Sequence, residues 1–229
     1  MPTVAILVGG LGTRLHAVTG GDQKVIAQVA GRPFLFRLLD QIADAGLRDV
    51  VLCTGHHAGQ VADAIGEGYR DLRVRYSCEP SPLGTAGALR NALPLLLSDP
   101  VLVMNGDSYC GIDVALFCEF HARVEARVTI GVCEVDDTSA SGLVEFDAQS
   151  AITRFDEKTV ARTPGWINAG VYLLGRELLL SIPDGRPVSI EREIFPEWIG
   201  KRLYAFPFAG KFIDIGTPAT YAVAHKLLA

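Results

Sequence analysis

The sequence predicts an α/β fold, a mainly parallel, doubly wound (Rossmann-like) mixed sheet with an antiparallel flank. Three observations predict it. Up to about residue 125, short apolar runs alternate with stretches whose apolar residues recur at helical spacing, the pattern of βαβ units. Beyond that point strand-like runs follow one another, some separated only by short turns, which suits antiparallel pairing. The chain has 229 residues, 49% apolar and 21% charged, enough to bury an ordinary globular core.

Residues 4–8 are wholly apolar and end in glycines, as expected of a strand buried on both faces. A glycine-rich loop follows. Over 33–45, Phe34, Leu35, Leu38, Leu39 and Ile42 share one helical face, and Gly46 is placed to stop the helix. Residues 50–53 form the second strand, 60–66 a short helix, and 72–77 alternate as a third strand. Residues 86–97 read as a helix that Pro94 should kink or end. The fourth strand, 101–104, runs into Asn105-Gly106-Asp107, and 114–124 is helical. In the second half, 128–135, 143–146, 152–155 and 171–174 are strands. Two helices follow, 189–198 and 218–228, the latter with Thr217 as N-cap and Pro218 at its first position. No repeat or long polar linker divides the chain. One domain spanning 1–229 is expected, with halves of about 1–125 and about 126–229. Ligands in such sheets bind beyond the carboxyl ends of the strands, so the residues after Val8, Cys53, Ser77 and Met104 matter most.

Composition narrows the function. Lys plus Arg number 21 and Asp plus Glu 26, a net charge of -5, which argues against nucleic acid as a partner. No apolar run approaches a membrane span. The start, MPTVAILVGG, lacks the basic region of a secretory leader. The five cysteines, Cys53, Cys78, Cys110, Cys118 and Cys133, form no C-x-x-C pair, and with His56-His57 they show no zinc spacing. Reduced thiols and a cytoplasmic setting are expected.

After the first strand comes Gly9-Gly10-Leu11-Gly12-Thr13-Arg14-Leu15. Glycines let backbone N–H groups approach an anion without an intervening Cβ, and Arg14 adds a fork suited to phosphate. The loop lacks the Gly-Lys-Ser/Thr of a Walker motif, and Leu15 stands where the dinucleotide fingerprint has its third glycine. Arg14 followed by Lys24 favours an anion site over a purely structural turn.

LVGGLGTRL, with Lys24 nine residues beyond it, resembles the signature of the sugar-1-phosphate nucleotidyltransferases. The resemblance continues through Glu79 with LGTAGAL (83–89), NGD (105–107), FDEK (155–158), INAGVYLL (167–174) and FIDIGTP (212–218), in the family's order. Six separated motifs in register are specific where each alone is modest. The motifs are most similar to the guanylyltransferases of D-glycero-D-manno-heptose 1-phosphate, with the mannose-1-phosphate guanylyltransferases nearby. One departure stands out. The family usually has proline before the lysine, and here it is Gln23, which puts the stiffness of that approach in question.

The resemblance implies in-line attack of a sugar phosphate on the α-phosphorus of a nucleoside triphosphate, releasing pyrophosphate. Such chemistry rests on positioning and charge neutralisation. It implies catalytic roles for Arg14, Lys24 and Asp107. It implies nucleotide binding by Leu7, Gly9, Gly10, Gly12, Thr13, Glu79, Gly84 and Thr85. Asn105, Gly142, Glu157, Lys158 and Asn168 would bind the sugar phosphate, which makes the antiparallel flank the sugar-binding half and the first half the nucleotide-binding one. Asp107 and Asp214 would hold Mg²⁺, an ion that keeps several waters and needs few protein ligands. Read without the resemblance, Asp107 is equally a turn residue after Asn-Gly, and Asp214 a solvent-facing residue on an alternating strand. A solvated charged turn is the usual fate of a pair such as Glu157-Lys158, and Asn168 could be a turn cap, a reading its place inside an apolar strand weakens.

The implied partners are GTP and a sugar 1-phosphate, and homo-oligomer formation is left open. A carboxylate only accepts hydrogen bonds. Guanine offers two adjacent donors, whereas uracil and thymine offer one donor between carbonyls, so Glu79 leans toward guanine if it faces the base. The backbone at Gly84 and Thr85 is the other candidate reader, on a loop stiffened by Pro80 and Pro82. Ser189-Ile190-Glu191-Arg192-Glu193 resembles a segment of the heptose-type relatives, or simply caps a helix. The product would be a nucleotide-activated sugar for surface polysaccharide. Mannose as acceptor, uridylyl or thymidylyl transfer, and a non-catalytic nucleotide-sugar sensor are the competing readings.

Overall fold

The computed structural model describes residues 1–10, 15, 23–139, 142–157 and 163–229. The chain opens with β1 (Val4–Leu7), and a tight turn at Lys24–Ile26 leads into the hairpin β2 (Gln28–Val29) and β3 (Arg32–Pro33). Then come α1 (Phe34–Asp44), β4 (Asp49–Thr54), α2 (Ala58–Ile65), β5 (Gly68–Tyr69), β6 (Leu72–Cys78) and α3 (Gly84–Ala92). Next are β7 (Val101–Asn105), β8 (Ser108–Cys110), α4 (Val114–Arg123), β9 (Val128–Val135), β10 (Leu143–Phe146) and β11 (Ile152–Asp156). The remainder is β12 (Gly165–Leu174), α5 (Arg176–Ser181), α6 (Phe195–Trp198), β13 (Leu203–Pro207), β14 (Phe212–Asp214) and α7 (Pro218–Leu227).

The main sheet runs β11-β10-β12-β7-β1-β4-β6-β5, with β9 paired to β12 and β13 to β9. β7, β1, β4 and β6 are parallel neighbours. β12 is antiparallel to both β7 and β9, so this one strand joins the parallel part to the antiparallel flank. The expected fold class is the observed one. Alternation along the central strands explains the double winding. Val4, Ile6, Val50 and Leu52 pack in one layer with Phe34, Leu38, Leu39 and Phe117 from α1 and α4. Ala5, Val51, Val101 and Val103 pack in the other with Leu89, Leu178, Leu179 and Phe195 from α3, α5 and α6. Each buried Val, Leu, Ile or Phe among these contributes about 1.5–3 kcal/mol.

Several boundaries differ from expectation. Pro94 does end α3, which gives way to a tight turn over Leu93–Leu95. The helix expected over 189–198 is instead a wide turn, Ile190–Ile194, followed by α6. Ser189 caps it by accepting from the Arg192 N–H, and the Phe195 N–H reaches back to the Ile190 carbonyl. Pro196 has no N–H to continue a regular ladder. β12 starts at Gly165 rather than 171. Trp166, Asn168 and Gly170 break the apolar run there, and pairing with β9 and β10 makes it a strand. β2, β3, β5, β8, β13 and the helix α5 were not expected, whereas β14 falls in the strand-like run around Asp214. The three-residue strand β8 is too short to show a period, and exists because it pairs with β14.

Candidate active site

The carboxyl ends of β1, β4, β6 and β7 open into a cleft of about 430 Å³. Leu7, Gly9, Gly10, Lys24, Glu79, Gly84, Thr85, Asn105 and Asp107 all line it. Gly12, Thr13, Arg14 and Lys158 lie outside the described residues.

The charged centre is built by three segments. Lys24 sits on the turn after the β1 loop, Asp107 follows β7, and Asp214 ends β14. The β8–β14 pairing sets Asp214 opposite Ser108, the neighbour of Asp107. Lys24 Nζ donates to Asp107 Oδ2 at 2.5 Å, with the lysine side chain only 11% exposed. Asp214 Oδ1 accepts from the Gly216 N–H at 2.5 Å, and its Oδ2 accepts from the Ser108 hydroxyl at 3.2 Å. Burial, and next the charge of Asp107, push the Asp214 carboxyl above its ordinary range, and Lys24 partly offsets this. Two carboxylates facing one lysine leave the cluster one negative charge in excess, which a cation would neutralise. Gly216 makes the arrangement fit, since a Cβ there would come within 3.3 Å of Lys24 Nζ and overlap the Asp214 carboxylate. Among the described residues no three His, Cys, Asp or Glu side chains form a metal-binding group. Two carboxylates still suit an ion that retains water ligands.

Glu79 follows β6 and reaches back over β1 and β4. Its Oε2 accepts from the Leu83 N–H at 2.9 Å. Its Oε1 lies so close to Gly9 and Gly55 that a Cβ on either would stand 2.7 or 2.5 Å away. One acceptor is thus already committed to the 79–83 loop, and burial raises this carboxyl above its usual range. Cys53 also lines the cleft, but burial, with Glu79 nearby, pushes its thiol up to about 12. It is a neutral packing group and not a nucleophile.

Gly84 and Thr85 open α3. The Thr85 hydroxyl donates to Glu191 Oε2 at 2.8 Å and accepts from the Ile190 N–H at 2.9 Å. The Val188 carbonyl accepts from the Ala86 and Gly87 N–H groups at 3.0 and 3.3 Å. The 188–191 segment therefore caps α3, and the Thr85 side chain is occupied. Any contact from Thr85 to a base would come from its backbone.

On the flank, Asn168 does not present a free amide. Its Nδ2 donates to the Tyr172 hydroxyl at 2.9 Å, and its Oδ1 accepts from the Gly170 N–H at 3.0 Å. Asn105 bonds the same hydroxyl, while its Oδ1 is buried without a partner among the described residues. The Gly142 carbonyl accepts from the Asn168 N–H at 2.9 Å, and Gly142 lies beside Glu157. Glu157 is held by Arg192, whose Nη2 donates to Oε1 at 3.0 Å and whose Nε donates to Oε2. The structure thus gathers Gly142, Glu157 and Asn168 at one place, beside the Asn105 end of the cleft.

Sequence reasoning did not single out Gly55, Gly216, Tyr172 or Arg192 for the site. Arg192 lay in the segment resembling heptose-type relatives, and Tyr172 in the INAGVYLL motif, so both were within reach. Gly216 lay in the FIDIGTP motif, whereas Gly55 carries no signal until its neighbours are known.

The nucleotidyl transferase family profile matches residues 3–229. The chain belongs to the nucleotidyl transferase family. It is 37% identical over 220 residues to the mannose-1-phosphate guanylyltransferase of Mycobacterium tuberculosis, covering 94% of this chain and 61% of that protein. It is 36% identical over 221 residues to the mannose-1-phosphate guanylyltransferase catalytic subunit beta of Drosophila melanogaster, covering 94% of this chain and 60% of that one. The chain thus spans about three-fifths of these curated relatives' length. The crystal structure of HddC from Yersinia pseudotuberculosis, complexed with GMP-PN, superposes with a TM-score of 0.87 at 31% identity, covering 100% of both chains.

Proposed function

We propose that this nucleotidyl transferase moves GMP from GTP to a sugar 1-phosphate and releases pyrophosphate. The observation that carries the reading is the cluster of Lys24, Asp107 and Asp214 at the mouth of the β1–β7 cleft. In this reading Lys24 meets the transferred phosphates, and Arg14 the leaving pyrophosphate. Asp107 and Asp214 would hold Mg²⁺, which would neutralise charge developing on the phosphates. The carboxylate excess at the site fits that role. Gly9, Gly10, Gly12 and Thr13 would admit the nucleotide phosphates by backbone approach, with Leu7 at the cleft floor. The halves divide the work, about 1–125 taking the nucleotide and about 126–229 the sugar phosphate.

Guanine is supported by the guanylyltransferase relatives and by the GMP-PN in HddC. In this reading Glu79 Oε1 and the backbone at Gly84 and Thr85 would read the base. On the sugar side, Asn105, Gly142, Asn168, Glu157 and Lys158 would surround the acceptor. Asn168 and Glu157 are held by Tyr172, Gly170 and Arg192, and their remaining donor and acceptor sites would meet the sugar hydroxyls. We take D-glycero-D-manno-heptose 1-phosphate as acceptor, from the Ser189–Glu193 resemblance. The mannose-1-phosphate names of the relatives favour mannose 1-phosphate as the second choice. The free cysteines suit a reducing, cytoplasmic setting. No helix among the described residues is long and apolar enough to cross a membrane.

The test is a pyrophosphate-release screen of GTP, UTP, dTTP, CTP and ATP against mannose and manno-heptose 1-phosphates, with and without Mg²⁺. Release is expected with GTP and a manno-configured acceptor, and only with the metal. Equal use of UTP would overturn the base assignment. Tight nucleotide binding with no release for any pair would favour a sensor.

A further inference from the structure

Gln23, the residue that breaks the family pattern, is 5% exposed and lines the cleft. Its Nε2 donates to the Val8 carbonyl at 3.1 Å and to the His56 carbonyl at 3.0 Å. Its Oε1 accepts from the Lys24 N–H at 2.9 Å, and its own N–H donates to Gln60 Oε1 at 2.9 Å. Carbonyls only accept, so the amide can sit only one way round, with nitrogen toward Val8 and His56 and oxygen toward Lys24. Val8 follows β1, His56 follows β4, and Gln60 is in α2. A single side chain therefore ties two adjacent central strands to the first residue of the Lys24 turn. The backbone at Gln23 has φ −59°, the angle a proline ring would impose. Here hydrogen bonds hold that shape, and the N–H that proline lacks is used as well.

We propose that Gln23 is a positioning residue for Lys24, setting the lysine backbone so that its ammonium meets Asp107 and the phosphates. The proposal rests on the reading of the site given above. Lysine is a flexible point charge, so where its Nζ acts depends on where its Cα is held. Asp107 is held independently, by the β7 and β8 ends. A shift of the turn would therefore separate the pair without moving the carboxylate. Misplacement of about 1 Å costs reactions of this kind about a hundredfold.

The test uses Gln23→Leu, which keeps the buried volume and removes every side-chain bond. In pyrophosphate release kcat should fall by about tenfold to a hundredfold, with both KM values within about twofold of wild type. In a Lys24→Met background, adding Gln23→Leu should cause no further fall, because the only route of its action is gone. A second readout needs no turnover: the ¹⁵N side-chain resonance of Lys24, identified by its loss in Lys24→Met. It should move in Gln23→Leu toward the resonances of the other lysines. A folded variant with unchanged kcat, additive losses in the double variant, or an unmoved resonance would each overturn the proposal. If the wild-type chain releases no pyrophosphate from any pair, the functional reading fails and the resonance alone decides for or against Gln23. If Gln23→Leu does not fold, Gln60→Ala removes only the bond to the Gln23 N–H, and its resonance shift is read the same way.

Discussion

At the scale of single residues, the site is a contest between burial and charge. Asp214 is costly to bury and is retained against the charge of Asp107, with Lys24, Ser108 and the Gly216 N–H to support it among the described residues. Structural carboxylates are rarely left so poorly compensated. Asp107→Ala and Asp214→Asn should each cut pyrophosphate release by about a hundredfold or more while leaving the far-ultraviolet circular dichroism unchanged. Full turnover in either folded variant would remove that residue from the site. Glu79 is a subtler case, because one of its oxygens already accepts from Leu83. GTP should exceed UTP by about tenfold in kcat/KM, since one lost charged hydrogen bond has that effect. Glu79→Gln should narrow the ratio, because an amide can also donate to a carbonyl-bearing base. An unchanged ratio in that variant would leave base reading to the Gly84 and Thr85 backbone.

At the scale of elements, the segment after α5 acts as a brace. Val188 caps α3, Glu191 and the Ile190 N–H share the Thr85 hydroxyl, and Arg192 grips Glu157. One stretch thus touches both the proposed base side and the proposed sugar side. Thr85→Val leaves the Ile190 N–H without its partner at a fully buried residue, and should lower stability by about 1–3 kcal/mol in urea titration. Helix α4 carries a different sensitivity. His121 is buried against β9, where its Nδ1 pairs with the Thr129 hydroxyl at 2.8 Å. Burial lowers its pKa from 6.5, and the charge of Asp99 opposes this only in part. A base with a depressed folded pKa contributes stability that is present above its unfolded value and lost as pH falls toward the folded one. The urea midpoint should therefore drop as pH falls below about 6.5, and His121→Gln should flatten that drop. Parallel pH profiles for the two proteins would show that His121 does not govern it.

At the scale of the molecule, β12 is the decisive connection. Its last four residues pair with β7, and the same strand pairs along its length with β9. The parallel part cannot separate from the flank without breaking β12 from one neighbour. Unfolding should be a single transition, in which circular dichroism from the whole chain coincides with fluorescence of Trp166 and Trp198, both in the flank half. Two offset transitions would show that the halves fold independently. GTP with Mg²⁺ at about a hundredfold above Kd should stabilise the chain by about 2.7 kcal/mol, and Asp107→Ala should abolish most of that shift.

Much of this protein is written in local pattern. The α/β class, the central strands and α1 follow from apolar periodicity, because a strand buried on both faces and an amphipathic helix each need a fixed run of apolar residues. The motifs around Lys24, Glu79, Asp107 and Asp214 were legible too, through their resemblance to the family's signature, and strand order alone pointed to the neighbourhoods of Glu79 and Asp107. Tertiary structure alone decided the rest. β8 is too short to carry a period, and only its pairing with β14 sets Asp214 beside Asp107. The commitments of Thr85 to Glu191 and Glu157 to Arg192 join residues far apart in the chain, so no local pattern encodes them. Gln23 shows both limits at once. Its sequence position signalled a lost proline, and only its contacts with Val8, His56 and Gln60 revealed that hydrogen bonds hold the turn, because a side chain's partners are fixed by packing and not by its neighbours in sequence.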